Sequence, residues 1–240
     1  MDLLDKDFLI NFFYLGLKEV ERRKEDINKL NVFPVPDGDT GTNMLMTLQT
    51  SWEEIKKIEP KKIGDVIEAI TKGSLMGARG NSGVIMSQIF KGMNTVLKDK
   101  ESITPKEFAL SLIEGVSKAY KAVIRPVEGT ILTVSKSFAK SFYEETKNGK
   151  KFEEAYFNAL KDAKETLKKT PDMLSVLKEA GVVDAGGLGF LIFMEGGFKA
   201  ITKKEVEMEK IEIHEAKLYQ KLTYPFDVVV LLKTDCDEQN

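Results

Sequence analysis

Two hundred and forty residues with 36 basic and 38 acidic side chains, a net charge of −2, 42% hydrophobic and 31% charged residues, argue against a disordered tail and offer nucleic acid no global attractive field. No apolar run approaches the ~20 residues that cross a bilayer, so the composition argues against an integral membrane protein. One cysteine, Cys236, and one histidine, His214, exclude a disulfide framework, a Cys₄ or Cys₂His₂ zinc site and any triad using another histidine, and they point to a reducing, cytoplasmic setting.

The N-terminus places acids before its apolar stretch, the wrong order for a secretion signal. From Asp5 to Leu30, Phe8, Phe12, Leu15, Val20 and Ile27 recur at helical spacing, with charges crowding the opposite face after Glu19; this is a long amphipathic helix. Further helical segments follow at about 41–58, 62–76, 83–98, 105–122, 130–146, 151–168, 172–180 and 187–202, punctuated by prolines at 34, 36, 60, 105, 126 and 171. Short connections between them predict antiparallel neighbours, hence an all-α, up-and-down bundle or closed barrel. After Ala200 the chain becomes strongly charged and then reads FDVVVLL at 226–232, the first β signal. The expected organisation is a helical domain at 1–202, a linker at 203–222 and the first strand of a following domain at 223–240.

Four interruptions carry the chemistry. In LNVFPVPDGDTGTNM, Leu30 to Met44, Asp37 and Asp39 flank a glycine just before a helix. Two carboxylates so close repel, and they gain from a shared cation. Magnesium suits them because it takes one or two carboxylates and completes its octahedron with water and phosphate oxygens. Thr40, Gly41, Thr42 and Asn43 would then offer backbone N–H groups to an anion. The plain alternative is a β-turn with Asp39 or Thr40 capping the helix. GARGNSG at 77–83 reads either as a loop presenting Asn81, Ser82 and Gly83 to a phosphate, with Arg79 the best cation for developing charge, or as a glycine-lined helix crossing. RPVEGT at 125–130 and VVDAGGLG at 182–189 place Thr130 and Asp184 as ordinary N-cap candidates. Counted as the first, second, fifth and eighth loops, the four do not share one end of a bundle, so either a helix is miscounted or the loops do not all converge.

Those four segments, in that order and spacing, resemble the nucleotide domain of the bacterial fatty acid kinase large subunit, which is similar to the ATP-binding L domain of dihydroxyacetone kinase. The resemblance covers about residues 5–200. It implies an all-α barrel of eight antiparallel helices holding Mg²⁺ and ATP, with ADP as product, at one rim. Carried over, Asp37 and Asp39 resemble the magnesium-binding aspartates and Thr40 to Asn43 the turn on the phosphates. Asn81, Ser82 and Gly83 resemble a second phosphate loop. Thr130, Ile131, Asp184, Ala185 and Gly186 would line the nucleoside side. Asn31 and Thr40 stand where the dihydroxyacetone kinase pattern has a third aspartate and a histidine; Asn31 would lend an amide oxygen, and the number of magnesium ions stays open. The activity implied is transfer of phosphate to the carboxylate of a fatty acid, a step towards phospholipid synthesis. The acyl group would be presented by a separate fatty-acid-binding protein, and a homodimer through further domains is compatible with this. A dihydroxyacetone-type kinase subunit and a non-catalytic Mg-nucleotide sensor are the alternatives. The stretch Tyr224 to Asp227 lacks the cysteine that opens the family's middle domain, and neither Cys236 nor His214 receives a role.

Overall fold

The structure, a computed structural model, describes residues 3–202. The expected linker and strand lie outside the described residues. Among those described, ten helices account for all the regular structure: α1 (Lys6–Asn28), α2 (Thr40–Lys56), α3 (Ile63–Gly77), α4 (Gly80–Leu97), α5 (Pro105–Ala122), α6 (Ile131–Lys147), α7 (Phe152–Lys168), α8 (Thr170–Met173), α9 (Ser175–Ala180) and α10 (Ala185–Thr202). Eight are long. Each packs on the next in chain order, and α10 closes the ring against α1, α6 and α7. None is long and apolar enough to cross a membrane.

The boundaries follow local chemistry. Asp5 caps α1 by accepting from Phe8 N–H at 2.9 Å, and Thr104 with Glu107 forms a reciprocal capping box ahead of Pro105 at the start of α5. The expected helix at 172–180 is instead two short pieces, because Leu174 adopts extended backbone between them. Helix α4 begins at Gly80 rather than 83, and α10 at Ala185 rather than 187.

The convergence of the loops turns on a miscount, because GARGNSG is the third connection of the expected series and not the second. GARGNSG follows the third long helix, and α8 with α9 makes no full crossing of the barrel. The four loops therefore follow the first, third, fifth and seventh long helices and share one rim, with the N-termini of α2, α4, α6 and α10 opening onto it.

Closure needs α1 and α10 in near-backbone contact. A Cβ at Gly196 would stand 2.6 Å from Gly16 Cα, so these two glycines set the spacing of the seam. Arg23 to Glu195 at 3.1 Å and Lys199 to Glu19 at 3.0 Å bridge the same pair of helices. An aromatic cluster fills the barrel in the half away from the rim. Phe12 meets Phe108, Tyr156 and Phe193 edge to face, with ring centroids 5.3, 6.1 and 6.0 Å apart. Tyr156 is fully buried and donates its hydroxyl to Met194 O at 2.9 Å. Each such ring contributes about 1.5–3 kcal/mol through burial, so the rigid body of the barrel lies below the rim it supports.

Candidate functional site

Helix α2 enters the rim through Gly38, whose φ of +67° turns the chain so that Asp37 and Asp39 lie side by side. Burial first, and the neighbouring Asp39 carboxyl second, raise the Asp37 carboxyl above the ordinary aspartate value of 3.8. Asp39 occupies the N-cap position of α2, yet its side chain caps nothing. The first-turn amides go elsewhere: Gly41 and Thr42 N–H donate to Asn28 Oδ1 at 2.8 and 3.2 Å, and Thr40 N–H donates to Asn31 Oδ1 at 3.2 Å. Asn43 N–H closes the first helical bond on Asp39 O at 2.8 Å.

This arrangement differs from both sequence expectations. Neither Asp39 nor Thr40 caps the helix through its side chain, and the N–H groups of residues 40–43 are all engaged within the chain. Two asparagines from the end of α1 and its following loop do the capping, which leaves both aspartate carboxylates without helix N–H partners. Asn31 is a tether. Its oxygen also accepts from the Thr40 hydroxyl, while its nitrogen donates to Val35 O at 2.6 Å and Asp37 Oδ1 at 3.3 Å. Lending that oxygen to a metal would require breaking the Thr40 bonds.

Helix α4 presents the contrasting end. Arg79 is its N-cap residue, and no side chain caps the helix. The Arg79 guanidinium is exposed, donates to the adjacent Ala78 O at 3.2 Å, and forms no ion pair among the described residues. Asn81 is exposed and Ser82 buried. The two loops are joined through Thr47: Arg79 N–H donates to Thr47 Oγ1 at 3.2 Å, and that hydroxyl donates to Asn43 O at 2.8 Å. Gly83 faces this joint, since its N–H donates to Arg79 O at 3.0 Å and a Cβ would stand 2.3 Å from Thr47 Oγ1. The helix-crossing reading thus describes Gly83, while residues 79–82 form the open end.

On the other side of the rim, Thr130 precedes α6 without capping it and donates its hydroxyl to Val127 O at 2.7 Å. Asp184 caps α10 by accepting from Gly187 N–H at 2.7 Å, and the Ile131 N–H at the start of α6 also bonds its carboxylate. Its own N–H donates to Thr170 Oγ1 at 3.0 Å. Burial raises the Asp184 carboxyl to about 7, against the lowering effect of those two N–H groups. Thr130, Ile131, Asp184 and Ala185 are all buried, and Gly186 packs on Ile131. The fold brings these five residues together, but as a packed joint between two helix starts. The N-cap expectation is met by Asp184 and not by Thr130.

Asn28, Thr47 and Thr170 organise the rim and carry no motif. Thr47 left one trace in the sequence, a polar residue on the apolar stripe between Met44 and Leu48. Among the described residues no group of three His, Cys, Asp or Glu side chains is arranged for a metal. A cation here would rest on Asp37 and Asp39 and take its remaining ligands from water or phosphate, a donor set that fits magnesium. A divalent charge would also offset the Asp39 contribution that adds to burial in raising Asp37.

Residues 34–199 match the sequence model of the DAK2 domain. An uncharacterized protein of Staphylococcus aureus (strain USA300) is 44% identical over 198 residues, covering 82% of this chain and 36% of that protein. Its counterpart in the bovine strain RF122/ET3-1 is 45% identical over 192 residues, 80% of this chain and 35% of that protein. The chain therefore spans about a third of the length of these curated relatives. Among solved structures, the dihydroxyacetone kinase of C. freundii in its native form matches with a TM-score of 0.56 at 18% identity, over 82% of this chain and 34% of that one. That match is a likeness of fold.

Proposed function

The chain belongs to the DAK2 domain family, and from that premise we propose that it is the Mg-nucleotide-binding part of a cytoplasmic kinase that phosphorylates the carboxylate of a fatty acid. One observation carries the reading. Asp37 and Asp39 stand together at the rim with no helix N–H on either from α2, beside the uncapped start of α4 and an Arg79 guanidinium without an ion pair among the described residues. Asp37 and Asp39 would hold Mg²⁺, which when bound neutralises charge on the nucleotide phosphates. The N–H groups at residues 80–82 and the Asn81 and Ser82 side chains would receive phosphate oxygens, and Arg79 would neutralise charge developing on the transferred group. Thr42 and Asn43 would contribute side chains, since their amides are engaged.

A carboxylate acceptor is already a nucleophile. One of its oxygens forms the new bond to the γ-phosphorus as the bond to the leaving ADP oxygen breaks, and no proton has to be removed. Alignment and charge neutralisation are then sufficient, which suits a set of described residues that contains no histidine. The fatty acid would arrive on a separate binding protein.

Calorimetry with ADP, with and without magnesium, tests the nucleotide site; ADP binding that is the same in the presence of chelator overturns it. Acyl phosphate formation from ATP and a lipid-loaded carrier, run with this chain and with a full-length relative, tests the acceptor. Turnover is expected with the longer protein, and turnover with dihydroxyacetone instead would reassign the substrate.

A further inference from the structure

An aspartate at a helix N-cap ordinarily turns its carboxylate onto the N–H groups two and three residues ahead. For Asp39 those are Gly41 and Thr42, the two amides held by Asn28 Oδ1. Asn28 and Asp39 therefore compete for one pair of donors, and Asn28 has them. Its carboxamide is oriented by Nδ2 donating to Thr42 Oγ1 at 3.2 Å and to Glu25 Oε2 at 3.4 Å. Its reach depends on Gly41, because a Cβ there would stand 2.3 Å from Lys24 O and 3.0 Å from Asn28 Oδ1. A neutral amide satisfies the helix end without adding charge, so the partial positive charge of the α2 N-terminus persists for an anion nearby.

We propose that Asn28 is a positioning residue: it caps α2 in place of Asp39 and thereby keeps the Asp39 carboxylate beside Asp37, available to a cation. The identity of that cation rests on the function proposed above; the exchange of caps does not. With Asn28 removed, Asp39 leaves its present backbone (φ −116°, ψ −1°) for the extended one an N-cap needs, turns its carboxylate onto Gly41 and Thr42, and the carboxylate pair comes apart.

Four proteins test this: the wild type, Asn28→Ala, Asp39→Ala and the double variant. Hydrogen exchange at the Gly41 and Thr42 amides is expected to stay slow in both single variants, each retaining one cap, and to accelerate at least about tenfold only in the double variant. Calorimetry with Mn²⁺ and ADP is expected to show about tenfold weaker binding in Asn28→Ala. In the Asp39→Ala background the Asn28 change should have no further effect, a non-additivity that a merely structural cap does not produce. Fast exchange at Gly41 and Thr42 in Asn28→Ala alone, with Mn-ADP affinity within about twofold of wild type, overturns the inference. If the exchange pattern holds while the wild type takes no Mn-ADP, the cap exchange stands and the proposed function fails.

Discussion

The α2–α4 half of the rim and the α6–α10 half are made from the same part, a helix N-terminus after a short loop, and they answer its amides in opposite ways. At α2 neutral asparagines accept from the first turn, and at α4 no side chain does. At α6 and α10 a single buried carboxylate, Asp184, accepts from both helix starts. The first half keeps both aspartates off its helix N–H groups, Asp37 held by Asn31 and Asp39 capping nothing; the second binds both helix starts to Asp184 inside the protein. The open side is the one proposed to take a cation and phosphate, and the other side is a joint. The difference teaches that a capping residue decides where a helix dipole can be used.

The comparison can be broken from either side. The largest expected effect belongs to Asp184. Between the ordinary aspartate value of 3.8 and about 7, the folded protein holds a proton that the unfolded chain has lost. Stability should thus fall as pH rises through that window and level off above it, by up to about 4 kcal/mol. Denaturant melts from pH 4 to 8 should show this slope, and Asp184→Asn should flatten it. An unchanged slope in the variant would place the titrating group elsewhere.

Next comes the open half. Replacing Asp37 and Asp39 together by Asn should weaken Mg-ADP binding at least a hundredfold, about 3 kcal/mol, and leave melting temperature level or slightly higher as repulsion is removed. Calorimetry and a thermal melt on one preparation decide it, and retained affinity would remove the cation from this pair.

Gly83→Val should cost about 2 kcal/mol of stability by overpacking, because its Cβ would displace the Thr47 hydroxyl that joins the two loops. Urea unfolding measures this; a stable variant with weakened nucleotide binding would instead put Gly83 in the phosphate path.

The smallest effect is Arg79→Ala. Without an ion pair among the described residues to lose, stability should change by less than about 0.5 kcal/mol, while turnover falls about tenfold or more. A stability loss without a loss of rate would return Arg79 to a structural role.

By itself the sequence determined the helices and the places where chemistry concentrates. Helical spacing of apolar residues, proline punctuation and glycine-bearing interruptions are local signals, and all eight long helices and all four loops can be read from them within three residues. The last helix was shortened by two residues because Ala185 and Gly186 look like loop chemistry until Asp184 caps them. Tertiary structure alone decided which side chain answers which amide. Asn28 reaches Gly41 across 13 positions and Thr47 reaches Arg79 across 32, contacts set by how neighbouring helices abut. Asp39, Thr40 and Thr130 were all good capping residues by sequence, yet none caps its helix through its side chain. A cap is a competition among every acceptor that the packed fold brings within about 3 Å, and the sequence names only the local contestants.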